Sequence, residues 1–284
     1  MESSPYEDDN GSTPPRDAIR DTKGDAELKE LRALAPIYRL YEWFLWRQVD
    51  LRNGPKHVGI ILDGNRRFAR SMGLQPWLGH RLGADKVKEF LLWSFEAGIK
   101  VVTLYAFSTE NFGRSRKEVN EIFSIIKTRF TEIIEDPLIH KYKVRVRAIG
   151  RLSLLPKSII NPIRQIERAT EKYDRHFLNI AISYGGRTEI VDAFKKIAAR
   201  IVAGELKAEQ IDEQLVESHL YTAGLPDPDL IVRTSGEERL SGFLLWQAAY
   251  SELYFCDVYW PAFRRIDLLR AIRSYQQRER RFGA

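Results

Sequence analysis

Three stretches of this chain carry residue types that could do chemistry together. The first is Asp63-Gly64-Asn65-Arg66-Arg67, which closes a short apolar run and opens a helical pattern. The second is STENFGR, residues 108–114. The third is Arg233-Thr234-Ser235-Gly236, with Glu237, Arg239, Ser241 and Glu252 downstream. A helix start already carries partial positive charge, so Arg66 and Arg67 are unfavourable there unless an anion arrives. Asp63 beside them supplies a hard oxygen suited to a divalent cation bridging to that anion. Diphosphate with Mg²⁺ is the economical reading. The alternative is that Asp-Gly forms a hairpin turn and the arginines are simply solvated. Arginines, small hydroxyls and a few carboxylates suit phosphate groups and a metal, not hydride or acyl transfer.

These stretches share a rim only if the elements before them line up. Residues 57–62 read as a buried strand, and residues 66–72 as a helix that Gly73 stops. Further strands are expected over 100–107, 143–149, 177–184, 229–233 and 253–255. Helices are expected over 79–97, 153–173, 187–203, 208–221 and 266–281. Another starts at a capping box, Ser115 with Glu118 three residues on, and runs to about residue 135 before Pro137. Strands alternating with helices long enough for crossovers predict a largely parallel sheet with helices on both faces. In such sheets ligands bind beyond the carboxyl ends of the strands, where all three polar stretches would fall.

The chain has 284 residues, 44% hydrophobic and 30% charged, with a net charge of +6. This suits a globular protein with a real core and an anionic substrate or a membrane surface. Cys256 is the only cysteine, which argues against disulfides and for a cytoplasmic home. No apolar run reaches membrane-spanning length, and no signal peptide is visible. Residues 1–26 read as a disordered tail, and Glu7-Asp8-Asp9 within it as part of that tail, not a metal motif. Residues 27–50 read as a helical extension interrupted at Pro36 and crowded with Tyr38, Tyr41, Trp43, Phe44 and Trp46. It either packs on the domain or lies on a membrane surface. No linker is visible after residue 50, so residues 51–284 are expected to form one domain. GxxxxGK[ST], a strand-following GxGxxG and GxSxG are all absent, which excludes the corresponding nucleotide and hydrolase sites. The arginines at 270, 273, 278, 280 and 281 read as a solvated helix face, so no nucleic-acid partner is expected.

The blocks HVGIILDGNRRFAR, LGHRLGADKV, TLYAFSTENFGRSRKEV, ISYGGR and DPDLIVRTSGEERLSGFLLWQAAYSELYF resemble, in order, those of the cis-prenyltransferases, the undecaprenyl diphosphate synthase family. The DGNRR variant and the N-terminal extension look more like archaeal members. The resemblance implies an α/β domain with a central six-stranded, mostly parallel sheet, surrounding helices and an apolar product tunnel, usually a homodimer. It implies Mg²⁺-dependent condensation of isopentenyl diphosphate with an allylic diphosphate, farnesyl or geranylgeranyl, and product release at a membrane surface. The polyprenyl product would be the precursor of a glycosyl carrier lipid. A shorter product, another prenyl acceptor, or a non-catalytic subunit of the same fold are the alternatives.

The resemblance also assigns roles. Asp63 matches the aspartate that handles Mg²⁺ with the diphosphates. Gly64, Asn65, Arg66, Arg67 and Phe68 match the loop cradling the allylic diphosphate, with His80 near the same phosphate. Ser108, Thr109, Glu110, Phe112 and Arg114 match a mobile substrate loop, and Asn111 its proton-transfer or positioning residue. Arg233, Arg239, Leu240 and Ser241 match the isopentenyl diphosphate pocket. Glu252 matches a second metal carboxylate, near the partner subunit. Two positions depart from the bacterial pattern: Arg66 stands in place of a glycine, and Pro76 in place of a phosphate-binding arginine.

Overall fold

Six strands lie in one sheet in the order β3-β4-β2-β1-β5-β6. They are β1 (His57–Ile61), β2 (Val101–Ser108), β3 (Val144–Ile149), β4 (His176–Tyr184), β5 (Leu230–Arg233) and β6 (Glu252–Phe255). The structure, a computed structural model, describes residues 36–278. The expected tail over 1–26, the first part of the helical extension and the last residues of the C-terminal helix lie outside the described residues. By packing, Leu45–Ala284 forms one unit and Met1–Phe44 another; the sheet and every candidate site residue belong to the former.

All five pairings are parallel, where the sequence pattern predicts a mostly parallel sheet. All five residues of β1 are buried, as expected of a strand covered on both faces. Among the described residues the helices are α1 (36–48), α2 (Asn65–Ser71), α3 (Pro76–Glu96), α4 (Arg116–Ile133), α5 (Pro137–Lys141), α6 (Lys157–Thr170), α7 (Gly186–Val202), α8 (Glu213–Glu217) and α9 (Arg265–Gln277). None is long and apolar enough to cross a membrane.

Two helical expectations are corrected. The helix expected over 153–173 is a short 3₁₀ turn, Leu152–Leu154, followed by α6, because Pro156 lacks the N–H that would join them. Residues 208–221 are not one helix but a 3₁₀ turn, Ala208–Gln210, and then α8, which Asp212 caps by accepting from the Leu215 N–H. The helix from Ser115 does end before Pro137, at Ile133, and Pro137 opens α5 at a position where a missing N–H costs little, with Asp136 as the cap. Pro76 plays the same part at the start of α3.

The outer edge of β3 would be open to another strand. Side chains from α6 close it: Thr170 accepts from the Val146 N–H at 3.1 Å and Glu167 from the Ala148 N–H at 2.9 Å. At the other side of the sheet, the chain leaves β1 toward β2 and leaves β5 toward β6. The order therefore switches direction between β1 and β5, and a crevice opens beyond their carboxyl ends.

Candidate active site

Asp63 and Arg233 meet in that crevice. Ile61 pairs with Arg233 in register, so Asp63 follows two residues beyond the end of β1. Arg233 Nη2 donates to Asp63 Oδ2 at 2.7 Å, and the Gly64 N–H donates to Oδ1 at 2.7 Å. Thr234 fixes the backbone by accepting from the Asp63 N–H at 3.0 Å and donating to its carbonyl at 2.7 Å. Gly64 has φ 93°, and a Cβ there would fall 2.7 Å from Tyr259 and 2.8 Å from Ser235. Only glycine fits a turn that is both left-handed and this crowded.

Two groups of cations flank the Asp63–Arg233 pair. In the first, Arg67 donates to Ser235 Oγ at 2.5 Å, pairs with Glu237 at 3.1 Å and lies 5.7 Å from the Tyr259 ring centroid. Glu237 also pairs with Arg239 at 2.5 Å. Arg233 extends this group: its Nη1 donates to Ser241 Oγ at 2.8 Å and to the Arg239 carbonyl. Leu240 packs beneath, against the cluster that includes Tyr105 and Phe243.

In the second group, Glu118 gathers Arg66 at 3.4 Å, His80 at 3.3 Å and Arg114 at 2.9 Å. Ser115 does cap α4 by accepting from the Glu118 N–H. The Glu118 carboxylate, however, turns to these three side chains from α2, α3 and the loop after β2. Burial raises its pKa, and the Arg114 and Arg66 guanidiniums outweigh that and hold it below the usual range. Burial holds His80 below an ordinary imidazole, against the pull of Glu118. A carboxylate partner means that Nε2 carries the proton. Sequence reasoning missed Glu118 as a site residue because its spacing from Ser115 fully accounts for it as a cap.

The loop after β2 is a 3₁₀ turn, Thr109–Gly113. Asn111 Oδ1 accepts from the Ser108 N–H at 3.1 Å, so the side chain proposed to move a proton also holds its own loop. Phe112 packs edge-on against Phe107 and Phe123, while Glu110 is exposed. Thr109 lies so close to Gly185 that a Cβ there would meet its hydroxyl at 2.6 Å. Phe68 is half-buried on α2.

Glu252 is not brought to this rim. It opens β6 and pairs with Leu230, which pairs with Val58 at the start of β1. It therefore lies at the amino ends of the strands, the opposite side of the sheet from Asp63, and its carboxylate accepts from Arg278. Within one chain the two carboxylates cannot share an ion. The sequence pattern misplaced Glu252 because position along the chain does not say at which end of a strand a residue sits.

Gly79 and Gly83 let α3 press on the opening turn of α2. A Cβ on Gly79 would fall 2.0 Å from the Asn65 carbonyl oxygen, and one on Gly83 would fall 2.1 Å from Asn65 Oδ1. The Trp260 indole N–H donates to the Gly83 carbonyl at 2.7 Å and closes this contact. Gly79→Ala is therefore expected to lose about 1–3 kcal/mol in urea unfolding through overpacking. An unchanged midpoint would mean that the two helices separate freely.

An apolar cavity of about 290 Å³ begins at Leu62, Asn65 and His80, beside the Glu118 group. It runs between α3 and α4 over the face of the sheet, past Leu104, Ile126 and Phe130. A cationic mouth on a dry cavity suits a ligand with an anionic head and a hydrocarbon tail.

As a metal site, the rim offers Asp63, since Glu118 and Glu237 are each held by two arginines. Asp63 is about a third exposed (32%), and its two oxygens keep lone pairs beyond the bonds they accept. Among the described residues no three Asp, Glu, His or Cys side chains cluster as a cage. Such a donor set fits Mg²⁺ completed by phosphate oxygens and water, and does not fit an all-protein site.

Comparison with known proteins places these residues among relatives. Residues 61–283 match the family model described as "Putative undecaprenyl diphosphate synthase". The chain is 56% identical over 249 residues to a Methanocaldococcus jannaschii protein named "Tritrans,polycis-undecaprenyl-diphosphate synthase (geranylgeranyl-diphosphate specific)", covering 87% of this chain and 89% of that one. A Pyrococcus horikoshii protein of the same name is 52% identical, over 87% and 94%. Lavandulyl diphosphate synthase from Lavandula x intermedia, solved with dimethylallyl diphosphate, superposes with a TM-score of 0.78 at 37% identity, over 81% and 99% of the two chains.

Proposed function

The chain belongs to the undecaprenyl diphosphate synthase family of cis-prenyltransferases, and from that premise we propose that it extends an allylic prenyl diphosphate, geranylgeranyl or farnesyl, with isopentenyl diphosphate. The observation that carries this reading is the apolar cavity that opens at Asn65 and His80, with Arg66 and Arg114 held beside His80 by Glu118. A polyprenyl diphosphate made here would serve as precursor of a glycosyl carrier lipid.

The allylic diphosphate sits against Arg66, Arg67, His80 and the free N–H groups at the start of α2, with its tail in the cavity. Isopentenyl diphosphate sits against Arg239 and Ser241, steadied by Arg233. Asp63, between the two, would hold Mg²⁺; when bound, the ion would offset charge that gathers on the departing diphosphate. Asn111 lies on the loop over the site and orients the acceptor, and its amide is too weak a base to take the proton unaided. The proton lost in forming the new double bond passes to a diphosphate oxygen. Each diphosphate displaces Glu118 or Glu237 from arginines those carboxylates now hold.

A homodimer is part of this proposal. Val191, Phe194 and Val202 form an exposed apolar stripe on α7. A metal role for Glu252 is possible only across such an interface. Release at a membrane surface follows from the product's hydrocarbon tail.

Purified chain, given labelled isopentenyl diphosphate with geranyl, farnesyl or geranylgeranyl diphosphate, should yield longer polyprenyl diphosphates. No extension of any primer would end this reading. Phe130→Ala adds a second check, since Phe130 lines the cavity and is 3% exposed. It is expected to lengthen or broaden the product while destabilising the fold by about 3–5 kcal/mol. Unchanged product length with a lowered Tm would make Phe130 a core residue only.

A further inference from the structure

The turn that carries Ser241 is held in a conformation it would not adopt alone. Ser241 has φ 48°, Gly242 78° and Leu244 45°. Left-handed residues that carry side chains persist only where their surroundings fix them. Three groups outside the turn do so. Arg233 donates to Ser241 Oγ and to the Arg239 carbonyl. The Gly186 N–H, at the start of α7, donates to the Gly242 carbonyl at 2.7 Å. The Tyr105 hydroxyl donates to the Ser241 carbonyl at 3.2 Å and lies 3.3 Å from the Tyr184 carbonyl.

Tyr105 also reaches the loop on the other side of the turn. It lies on β2, three residues before Ser108, where the loop bearing Asn111 begins. Side chains three apart on a regular strand point to opposite faces. The end of β2 is irregular: its register on β4 shifts between Tyr105 and Phe107 and again between Phe107 and Ser108. Such shifts re-aim side chains, and the Ser108 hydroxyl bonds to that of Tyr105. Carbonyls only accept, so the phenol shares its one proton between Ser241 and Tyr184 and keeps its oxygen for Ser108. Burial pushes the phenol pKa up, so it remains a donor. The ring is 9% exposed and stacks on Phe243, with centroids 4.8 Å apart. Phenylalanine would meet that packing; the hydroxyl is what needs another explanation.

We infer that Tyr105 is a positioning residue for the isopentenyl diphosphate subsite: its hydroxyl fixes the turn that takes the diphosphate, at Arg239 and Ser241, relative to the loop whose Asn111 orients the alkene. The inference rests on the chain-extension reading above. Tyr105 touches neither substrate and acts by holding Ser241 and Ser108 at once. The end of β4 runs between the same two segments. Gly185 meets Thr109 of the loop, and a Cβ on Gly186 would fall 2.7 Å from the Gly242 carbonyl. Loop and turn thus pack on one stretch of backbone, and the phenol joins them across it. The allylic diphosphate rests on α2 and α3, elements that this hydroxyl does not bond.

Tyr105→Phe removes the hydroxyl and keeps the stacked ring, so the chain is expected to fold with a Tm close to that of the unsubstituted protein. Its KM for isopentenyl diphosphate should rise roughly three- to ten-fold, the worth of one neutral hydrogen bond, with the allylic KM little changed. Equilibrium dialysis of labelled isopentenyl diphosphate with Mg²⁺ should show the same weakening, a readout that needs no turnover. Ser108→Ala should reproduce part of the loss, and in the double variant the two losses should overlap rather than add, because both act through one junction. Should Tyr105→Phe not fold, Ser108→Ala carries the test alone, since it leaves the buried ring in place. An unchanged KM for isopentenyl diphosphate, an equal rise in both KM values, or fully additive losses would overturn the inference and leave Tyr105 a core residue. If the unsubstituted chain extends no primer and takes up no isopentenyl diphosphate, the chain-extension reading itself fails, a result distinct from any of these.

Discussion

Asp63→Asn is expected to leave the chain folded and lower kcat by roughly 10²–10³ or more. The amide keeps the shape of the carboxylate and its one oxygen can still accept from the Gly64 N–H, so the turn after β1 survives, while its NH₂ replaces the oxygen that accepted from Arg233. It removes the carboxylate that follows β1 between the two proposed diphosphate positions. A neutral oxygen is a poor ligand for a hard dication, and charge building on the leaving diphosphate loses its counterweight. Circular dichroism and a single-turnover assay at saturating Mg²⁺ separate folding from chemistry. Asp63→Ala is the less informative variant, since it also leaves the Gly64 N–H of the turn without its acceptor. Near-normal turnover in Asp63→Asn would contradict the assigned role.

Much of this arrangement is written locally in the chain. The apolar run at 57–61 and the Asp-Gly-Asn turn after it specify a strand, a sharp turn and a helix, and all three form. The strands after it follow the same logic, and their alternation with helices fixes the parallel sheet. Asp63 and Arg233 fall at one rim because both end a strand. What local pattern cannot carry is contact between distant segments. Glu118 satisfies the capping rule and yet spends its carboxylate on Arg66, His80 and Arg114. Gly79 and Gly83 look like weak points of a helix, and their cause lies in the approach of Asn65. Trp260 closes that approach from more than 170 residues away, and no spacing rule reaches it. Glu252 has the right chemistry at the wrong end of its strand.

The paired arginines of the RTSGEERLS block are expected to behave differently when truncated. The two are close in sequence, and by composition alone both would raise the KM for isopentenyl diphosphate alike. Their surroundings separate them. Arg239 is 64% exposed and is held by Glu237. Arg239→Ala removes one charge-assisted contact to a diphosphate, and should raise the KM for isopentenyl diphosphate with little change in kcat, in allylic KM or in Tm. Arg233 is 4% exposed, and it joins Asp63 Oδ2, Ser241 Oγ and the Arg239 carbonyl through one guanidinium. Arg233→Ala leaves Asp63 without its buried counter-charge and frees the Ser241 turn, where φ is 48° and the backbone needs outside support. Asp63 is a third exposed and keeps Arg67 at 3.7 Å, so the cost is that of the lost hydrogen bonds, about 1–3 kcal/mol. The loss should appear in urea unfolding, in kcat and in both KM values if Asp63 serves both proposed diphosphate positions. Arg233→Lys restores the charge but not the fork, so it should recover stability better than activity. If Arg233→Ala and Arg239→Ala give the same profile, Arg233 is a surface phosphate ligand like its neighbour. Its burial beneath the site would then have no catalytic consequence.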